Sequence, residues 1–181
     1  MIFRETRLPG AFLIDVERFE DERGFFAEGW KQDEAEKHGI DVVFNRSNIS
    51  YNRKAGTLRG LHAQQKPYAE AKLVRCPRGA IFDVIVDIRP DSPTYLQWEG
   101  AVLDAENRKM LYLPPGFLHG FQSLTDDTEV FYQVAGTYRP DMEIGARFDD
   151  PAFNIQWPET GERTLSPKDQ QWSAFLKMQP A

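Results

Sequence analysis

Short apolar runs that alternate with polar residues and stop at a turn signal about every ten residues constrain this chain more than any other feature. AKLVRC (71–76) leads through PRG into AIFDVIVDIRP (80–90), where Phe82, Val84, Val86 and Ile88 fall on one face of a strand. YLQWEGAVLD (95–104), KMLYLP (109–114), GFQSL (120–124) and TEVFYQVAGTY (128–138) continue the pattern, punctuated by RPDSP, DAEN, LPPG and TDD. Strands of this length pair antiparallel, bury one face, and leave the other wet or facing a second sheet, so an all-β sandwich or barrel is expected. Helix signal is thin. GWKQDEAEKHG (29–39) has helix formers and a Gly that can end a helix. SPKDQQWSAFLK (166–177) opens with Ser at the cap, Pro in the first turn and Asp169 three residues on, a capping-box pattern.

Composition narrows the function classes. The 181 residues suit one domain with its own core, and the 41% hydrophobic and 13% aromatic content argues against disorder. A net charge of −6, from 22 basic and 28 acidic residues, argues against a nucleic-acid or membrane-surface partner, either of which needs a basic face. The single cysteine, Cys76, excludes a disulfide framework within the chain and a multi-cysteine zinc site. No apolar window reaches transmembrane length, and MIFRETRLPG lacks the basic-then-apolar pattern of a signal peptide, so a cytoplasmic, soluble domain spanning 1–181 is expected. Within it, the Pro-bearing stretch from about residue 150 is expected to wrap the barrel before the last helix.

Two segments stand out for chemistry. In TLRGLHAQQ (57–65) alternation puts Gly60 and His62 on one face and Arg59 on the other, unless a bulge at Gly60 brings Arg59 round. On pattern alone the plain reading is a strand with a satisfied histidine and a surface arginine. In LPPGFLHGF (113–121) a tight turn delivers His119 to a strand, and Pro114-x-Gly116-x-x-His119 is similar to the second motif of the cupin superfamily of jelly-roll barrels. Metal-binding cupins usually add a His-x-His pair and a Glu; here only His38, His62 and His119 exist, and His62 is followed by Ala63 and Gln64. A three-histidine metal site, and with it a metal cupin oxygenase, is therefore not expected. Lys72, Asp83 and Tyr132 each interrupt an apolar strand. Lys72 with Asp83 makes a natural buried ion pair, the alternative being a lysine held in a dry cavity to stabilise an oxyanion. Tyr132 reads equally as a core aromatic, and Asp169 as a helix N3 residue.

The order of the motifs is specific. RGLH (59–62), AKLVRC (71–76), FDVIVDIRPDSPTY (82–95), LPPGFLHGF (113–121), FYQ (131–133), DDP…IQWP (149–158) and LSPKD (165–169) closely resemble the nucleotide-sugar 3,5-epimerases of dTDP-4-dehydrorhamnose 3,5-epimerase type. The likeness runs from DERGFFAE (21–28) to LSPKD, nearly the whole chain. It implies a cupin-like jelly-roll barrel with short peripheral helices, and a homodimer in which N-terminal strands cross to the partner; the apolar GAFLID (10–15) is consistent with such a strand. It also implies roles. His62 corresponds to the general base, Asp169 to the carboxylate that orients it, Lys72 to the residue facing the sugar's 4-keto oxygen, and Tyr132 to the acid on the opposite ring face. His119 and Asp83 match further active-site positions, and Glu143 a substrate-binding one. Arg23, Glu28, Asn48, Arg59, Tyr138 and Lys168 match positions that hold nucleotide and diphosphate. No cofactor is implied, and the chain carries no dinucleotide fingerprint or P-loop.

The chemistry accounts for these residue types. The protons at C3 and C5 of a 4-keto sugar are acidic because each carbanion is delocalised onto the carbonyl as an enolate. A carboxylate-paired histidine has a pKa suited to removing them, an ammonium beside O4 stabilises the charge, and inversion needs a donor on the other face. Departures cluster around recognition: Arg46-Ser47-Asn48 where the family often has Gln-Asp-Asn, Glu70-Ala71-Lys72 where Gln-x-Lys is usual, and Ala63 where an aromatic commonly follows RGLH. Arg46 and Glu70 thereby join the substrate-binding set. Three readings follow: a 3,5-epimerase of a nucleotide-diphosphate 4-keto-6-deoxy sugar, a mono-epimerase of a CDP-linked 4-keto sugar, and a non-catalytic nucleotide-sugar-binding cupin.

Overall fold

The computed structural model describes residues 1–175; the expected helical residues Leu176 and Lys177 lie outside them. In chain order the elements are β1 (Ile2–Glu5), β2 (Phe12–Asp15), β3 (Phe19–Asp21), β4 (Gly24–Phe26), α1 (Gln32–Glu36), β5 (Arg46–Asn52), β6 (Leu58–Gln64), β7 (Ala71–Arg78), β8 (Ala80–Asp87), β9 (Trp98–Asp104), β10 (Met110–Leu113), β11 (Phe117–Ser123), β12 (Thr128–Ala135), a 3-10 turn (Pro140–Met142), β13 (Glu143–Gly145) and α2 (Pro167–Gln170). Two sheets face each other, one ordered β1-β2-β10-β7-β12-β5 and the other β13-β6-β11-β8-β9, with β3 and β4 forming a separate hairpin. Within the two facing sheets every adjacent pair of strands is antiparallel. The crossovers between the sheets make this the expected all-β jelly roll.

Alternation decides which side chains fill the space between the sheets. Val74 and Cys76 of β7 and Leu111 and Leu113 of β10 meet Ile81 and Ile85 of β8 and Phe117 and Phe121 of β11, all buried. Each such side chain contributes about 1.5–3 kcal/mol by leaving water. The outer faces are covered too, which is why β8 and β11 are buried along almost their whole length rather than on alternate residues. Ala35 and Ile40, around α1, cover Leu73 and Tyr112. The stretch after β13 crosses the second sheet, where Ala146, Phe153 and Trp157 pack on Leu61, Val84 and Val86. Thr164 then closes against Thr57 as a single parallel bridge.

The helices are short for local reasons. α1 starts at Lys31, which offers no capping side chain, and the chain turns away through Gly39 at φ +75°. In α2 the Ser166 hydroxyl accepts the Asp169 N–H at 3.1 Å, the expected cap, but the helix spans only Pro167–Gln170. GAFLID forms β2, which pairs with β1 and with β10 of its own chain.

Candidate active site

Residues of both sheets line an open cleft with two lobes. One, about 450 Å³, is lined by Arg46, Asn48, Gln64, Glu70, Tyr138 and Glu143 among others; the second, about 400 Å³, by Arg59, His119, Ser166, Lys168 and Asp169 among others. Ile49, His62, Lys72 and Tyr132 line both, so they sit where the lobes meet. His62 comes from one sheet, on β6, while Lys72 and Tyr132 come from the other, on β7 and β12. Register explains their common direction: Tyr132 pairs with Val74, and Val134 with Lys72, so Tyr132 and Lys72 share the inward face.

A bulge brings His62 and Arg59 to the same cavity. The β6–β11 register runs His62 opposite His119 and then Arg59 opposite Phe121, a shift of one residue at Gly60. Gly60 has φ +116°, and a Cβ there would lie 2.6 Å from Gly120 Cα, while a Cβ on Gly120 would lie 2.7 Å from the Arg59 carbonyl oxygen. Both strands are therefore glycine where they touch. Arg59 is exposed, as the plain reading has it, but not idle: its Nε donates to Asn52 Oδ1 at 2.9 Å and it lines the second lobe.

The two histidines of the cleft, His62 and His119, are each bound to a carboxylate. His62 Nε2 lies 2.5 Å from Asp169 Oδ1, with His62 28% and Asp169 4% exposed at the side chain. Burial pushes the Asp169 carboxyl up, but the hydrogen bonds from His62 and Ser166 outweigh it and hold the group below the usual carboxylate range. An ionised Asp169 fixes the proton on Nε2, leaving Nδ1 as the basic nitrogen. Glu143 Oε1 stands 4.0 Å from Nδ1. Glu143 is itself held by Lys168 at 2.6 Å and by the Tyr138 hydroxyl at 3.1 Å.

Asp83 has a different partner from the one alternation suggests. Its Oδ1 is 2.8 Å from His119 Nε2, deep in the sheet, and no Lys72–Asp83 ion pair forms. The reason is topological: β8 pairs with β11, so Asp83 lies alongside His119 in its own sheet while Lys72 reaches the cavity from the other. Burial lowers the Lys72 pKa, opposed chiefly by Glu70, then Asp83 and Glu143. Burial also raises the Tyr132 pKa, opposed by Arg46 and Arg59, so the phenol stays protonated at neutral pH and can act as a donor. Among the described residues no three His, Cys, Asp or Glu side chains cluster with metal-ligand geometry.

Three expected residues do not line the cleft in this chain: Asp83 is fully buried against His119, and Arg23 and Glu28 lie elsewhere. Arg23 sits in the exposed turn of the β3–β4 hairpin with Asp21 at 2.5 Å, and Glu28 faces Lys31 at 3.9 Å. Conversely, Trp172 was not singled out by pattern. Its ring packs 6.1 Å from that of His62, under the Lys168 ammonium, in a space open because position 145 is glycine. The only sequence signal was an aromatic just past LSPKD.

With this geometry in place, comparison with known proteins is decisive. A family profile described as dTDP-4-dehydrorhamnose 3,5-epimerase matches residues 5–177. The chain belongs to the dTDP-4-dehydrorhamnose 3,5-epimerase family. Members are isomerases, and this chain is one. It is 43% identical over 169 residues to the dTDP-4-dehydrorhamnose 3,5-epimerase of Sinorhizobium fredii strain NGR234, covering 93% of this chain and 87% of that one. The crystal structure of the Bacillus anthracis enzyme, solved with TDP and pyrophosphate bound, superposes with TM-score 0.92 at 41% identity, covering 96% and 99% of the two chains. The Elizabethkingia anophelis enzyme gives TM-score 0.94 at 37% identity, covering 98% of each.

Proposed function

We propose that this epimerase inverts C3 and C5 of a dTDP-linked 4-keto-6-deoxy sugar by proton transfer alone, in deoxysugar biosynthesis. The observation that carries the reading is the placement of a histidine–aspartate base and a protonated phenol on opposite sheets, across one cleft that a lysine also lines. His62 Nδ1 removes the proton α to the carbonyl. Lys72 holds the enolate charge on O4, and Tyr132 returns a proton from the other face, so the carbon inverts. A second abstraction at the other α carbon uses the same groups, because both carbons flank the same carbonyl. His119 and Asp83 back the cavity as a fixed pair.

The diphosphate needs positive charge that a chain of net −6 must concentrate locally. Arg59 and Lys168 supply it in the second lobe, with Tyr138 and Asn48 in reach along the first. Arg23 and Glu28 then belong to the partner's cleft in a homodimer. That reading is supported by a β3–β4 hairpin whose Phe19 and Phe26 are 58% and 67% exposed, and by an unpaired β5 edge carrying Ile49 at 67%. No described helix is long and apolar enough to cross a membrane.

The substrate is tested by offering purified protein the dTDP- and CDP-linked 4-keto-6-deoxyglucose separately and following the sugar by proton NMR. The dTDP sugar is expected to epimerise at both carbons, and faster than the CDP sugar. Preference for the CDP sugar, or inversion at one carbon, would replace the 3,5-epimerase assignment by the mono-epimerase one. Tight binding without turnover of either would leave only a binding protein.

A further inference from the structure

Lys72 is asked to be a cation in a cleft that disfavours one, and no ion pair to it forms among the described residues. The groups that face it come from every neighbouring element. His62 reaches the cleft from β6, His119 from β11 with the buried Asp83 of β8 behind it, Tyr132 from β12, and Glu143 from β13. Arg59, Lys168 and Asp169 line the second lobe, with Tyr51 at its edge, and Tyr138 the first. Most of these are already engaged: Asp169 with His62, Asp83 with His119, Glu143 with Lys168, and Tyr51 with Asp127. Glu70 is the exception in its geometry. It stands two residues before Lys72, on the same side of the chain as β7 begins, with its side chain only 6% exposed.

Glu70 is held in place from two directions. Arg46 Nη2 on the edge strand β5 donates to Glu70 Oε1 at 2.5 Å, and the Arg46 guanidinium lies 5.7 Å from the Tyr138 ring. Behind Glu70 the chain runs through Gly136 at φ +138°, where a Cβ would lie 3.1 Å from Glu70 Cγ. A carboxylate is thus fixed in the wall beside Lys72 with one oxygen committed to Arg46. We propose that the Arg46–Glu70 pair is a positioning device, in which Glu70, clamped by Arg46, provides the anion that keeps the Lys72 ammonium charged for the enolate step. The proposal rests on the reading of the cleft as the epimerase site. It gives the two unusual residues at these positions one joint purpose: a fixed carboxylate tunes the lysine without bonding it, leaving its N–H groups free for O4.

The pair makes an unequal prediction. Removing Glu70 takes away an anion and leaves Arg46 unpartnered beside Lys72; removing Arg46 takes away a repelling cation and frees Glu70. Lysine-labelled protein, with the Lys72 side-chain resonance assigned by K72R, is titrated without substrate in wild type, E70Q, R46Q and the double variant. The Lys72 midpoint is expected to fall by about one pH unit in E70Q, to fall less in R46Q/E70Q, and not to fall in R46Q. The alkaline limb of kcat for epimerisation should follow the same order. If E70Q does not fold, R46Q/E70Q carries the test, because two amides can hydrogen-bond where the ions did. An unmoved midpoint in the folded Glu70 variants, or an equal fall in both single variants, overturns the proposal. Absence of turnover in the wild type would defeat the epimerase reading while leaving the titration order to stand or fall separately.

Discussion

At the scale of single residues, the proposed division of labour between His62 and Tyr132 would separate inversion from simple exchange. His62 can remove a proton and return it to the same face; only a donor on the far side changes configuration. Tyr132→Phe is therefore expected to keep solvent exchange at the α carbons within about tenfold of wild type while net inversion falls about a hundredfold. Loss of both together, or of neither, would take Tyr132 out of the donor role. In this proposal Asp169 acts through His62, whose Nε2 it holds at 2.5 Å. Asp169→Asn should thus lower kcat by about 10²–10⁴ with little change in KM, because an amide can present N–H to Nε2 and favour the wrong tautomer. Equal damage to KM would mean that Asp169 binds substrate. Cys76 lines neither lobe of the cleft. Burial pushes its thiol up to about 12, and its sulfur donates to the Arg78 carbonyl, so thiol reagents should leave native protein active.

At the scale of elements, the site depends on how strands meet and how turns are fastened. The β8–β9 connection is pinned by Asp87, fully buried at the side chain, which accepts from Arg89, Ser92 and Thr94 at 2.7, 2.5 and 2.7 Å. Burial pushes the Asp87 carboxyl up, but these hydrogen bonds win and hold it at about 2. A carboxylate depressed on folding stabilises the protein above its unfolded pKa and loses that contribution as pH falls through its folded one. Asp87→Asn should cost about 3 kcal/mol in urea unfolding at pH 7, and the gap to wild type should close between about pH 4 and pH 2. A gap that is independent of pH would mean that the packing of the turn, not the charge, matters. Much of this level was legible beforehand. The seven strands read from alternation between residues 57 and 138 all form, because period-two patterning reports burial against a sheet whichever strand is the neighbour. Pairing partners were not legible, since they depend on crossovers; hence Asp83 met His119 rather than Lys72. The bulge at Gly60 was readable as an option only, because glycine permits a register shift without requiring one. Trp172 was hidden for another reason: its place is set by the missing side chain of Gly145, on a strand far away in sequence.

At the scale of the whole molecule, one chain holds the acid–base machinery but leaves Arg23 and Glu28 outside the cleft. If the β3–β4 hairpin completes a partner's site, two inactive variants should rescue each other. Arg23→Ala and His62→Ala chains, mixed and reassembled, would form heterodimers with one intact cleft, and roughly a quarter of wild-type activity should return. No recovery from a mixture shown to exchange subunits would confine the site to one chain. The central claim is that this sandwich is a proton-transfer device built around His62. It is tested most directly by incubating dTDP-4-keto-6-deoxyglucose with the protein in heavy water and reading C3 and C5 by NMR. Wild type should introduce deuterium at both carbons with inversion, and His62→Ala, folded to the same stability, should introduce none above background. Deuterium incorporation undiminished in His62→Ala, or absent in wild type, would contradict the account.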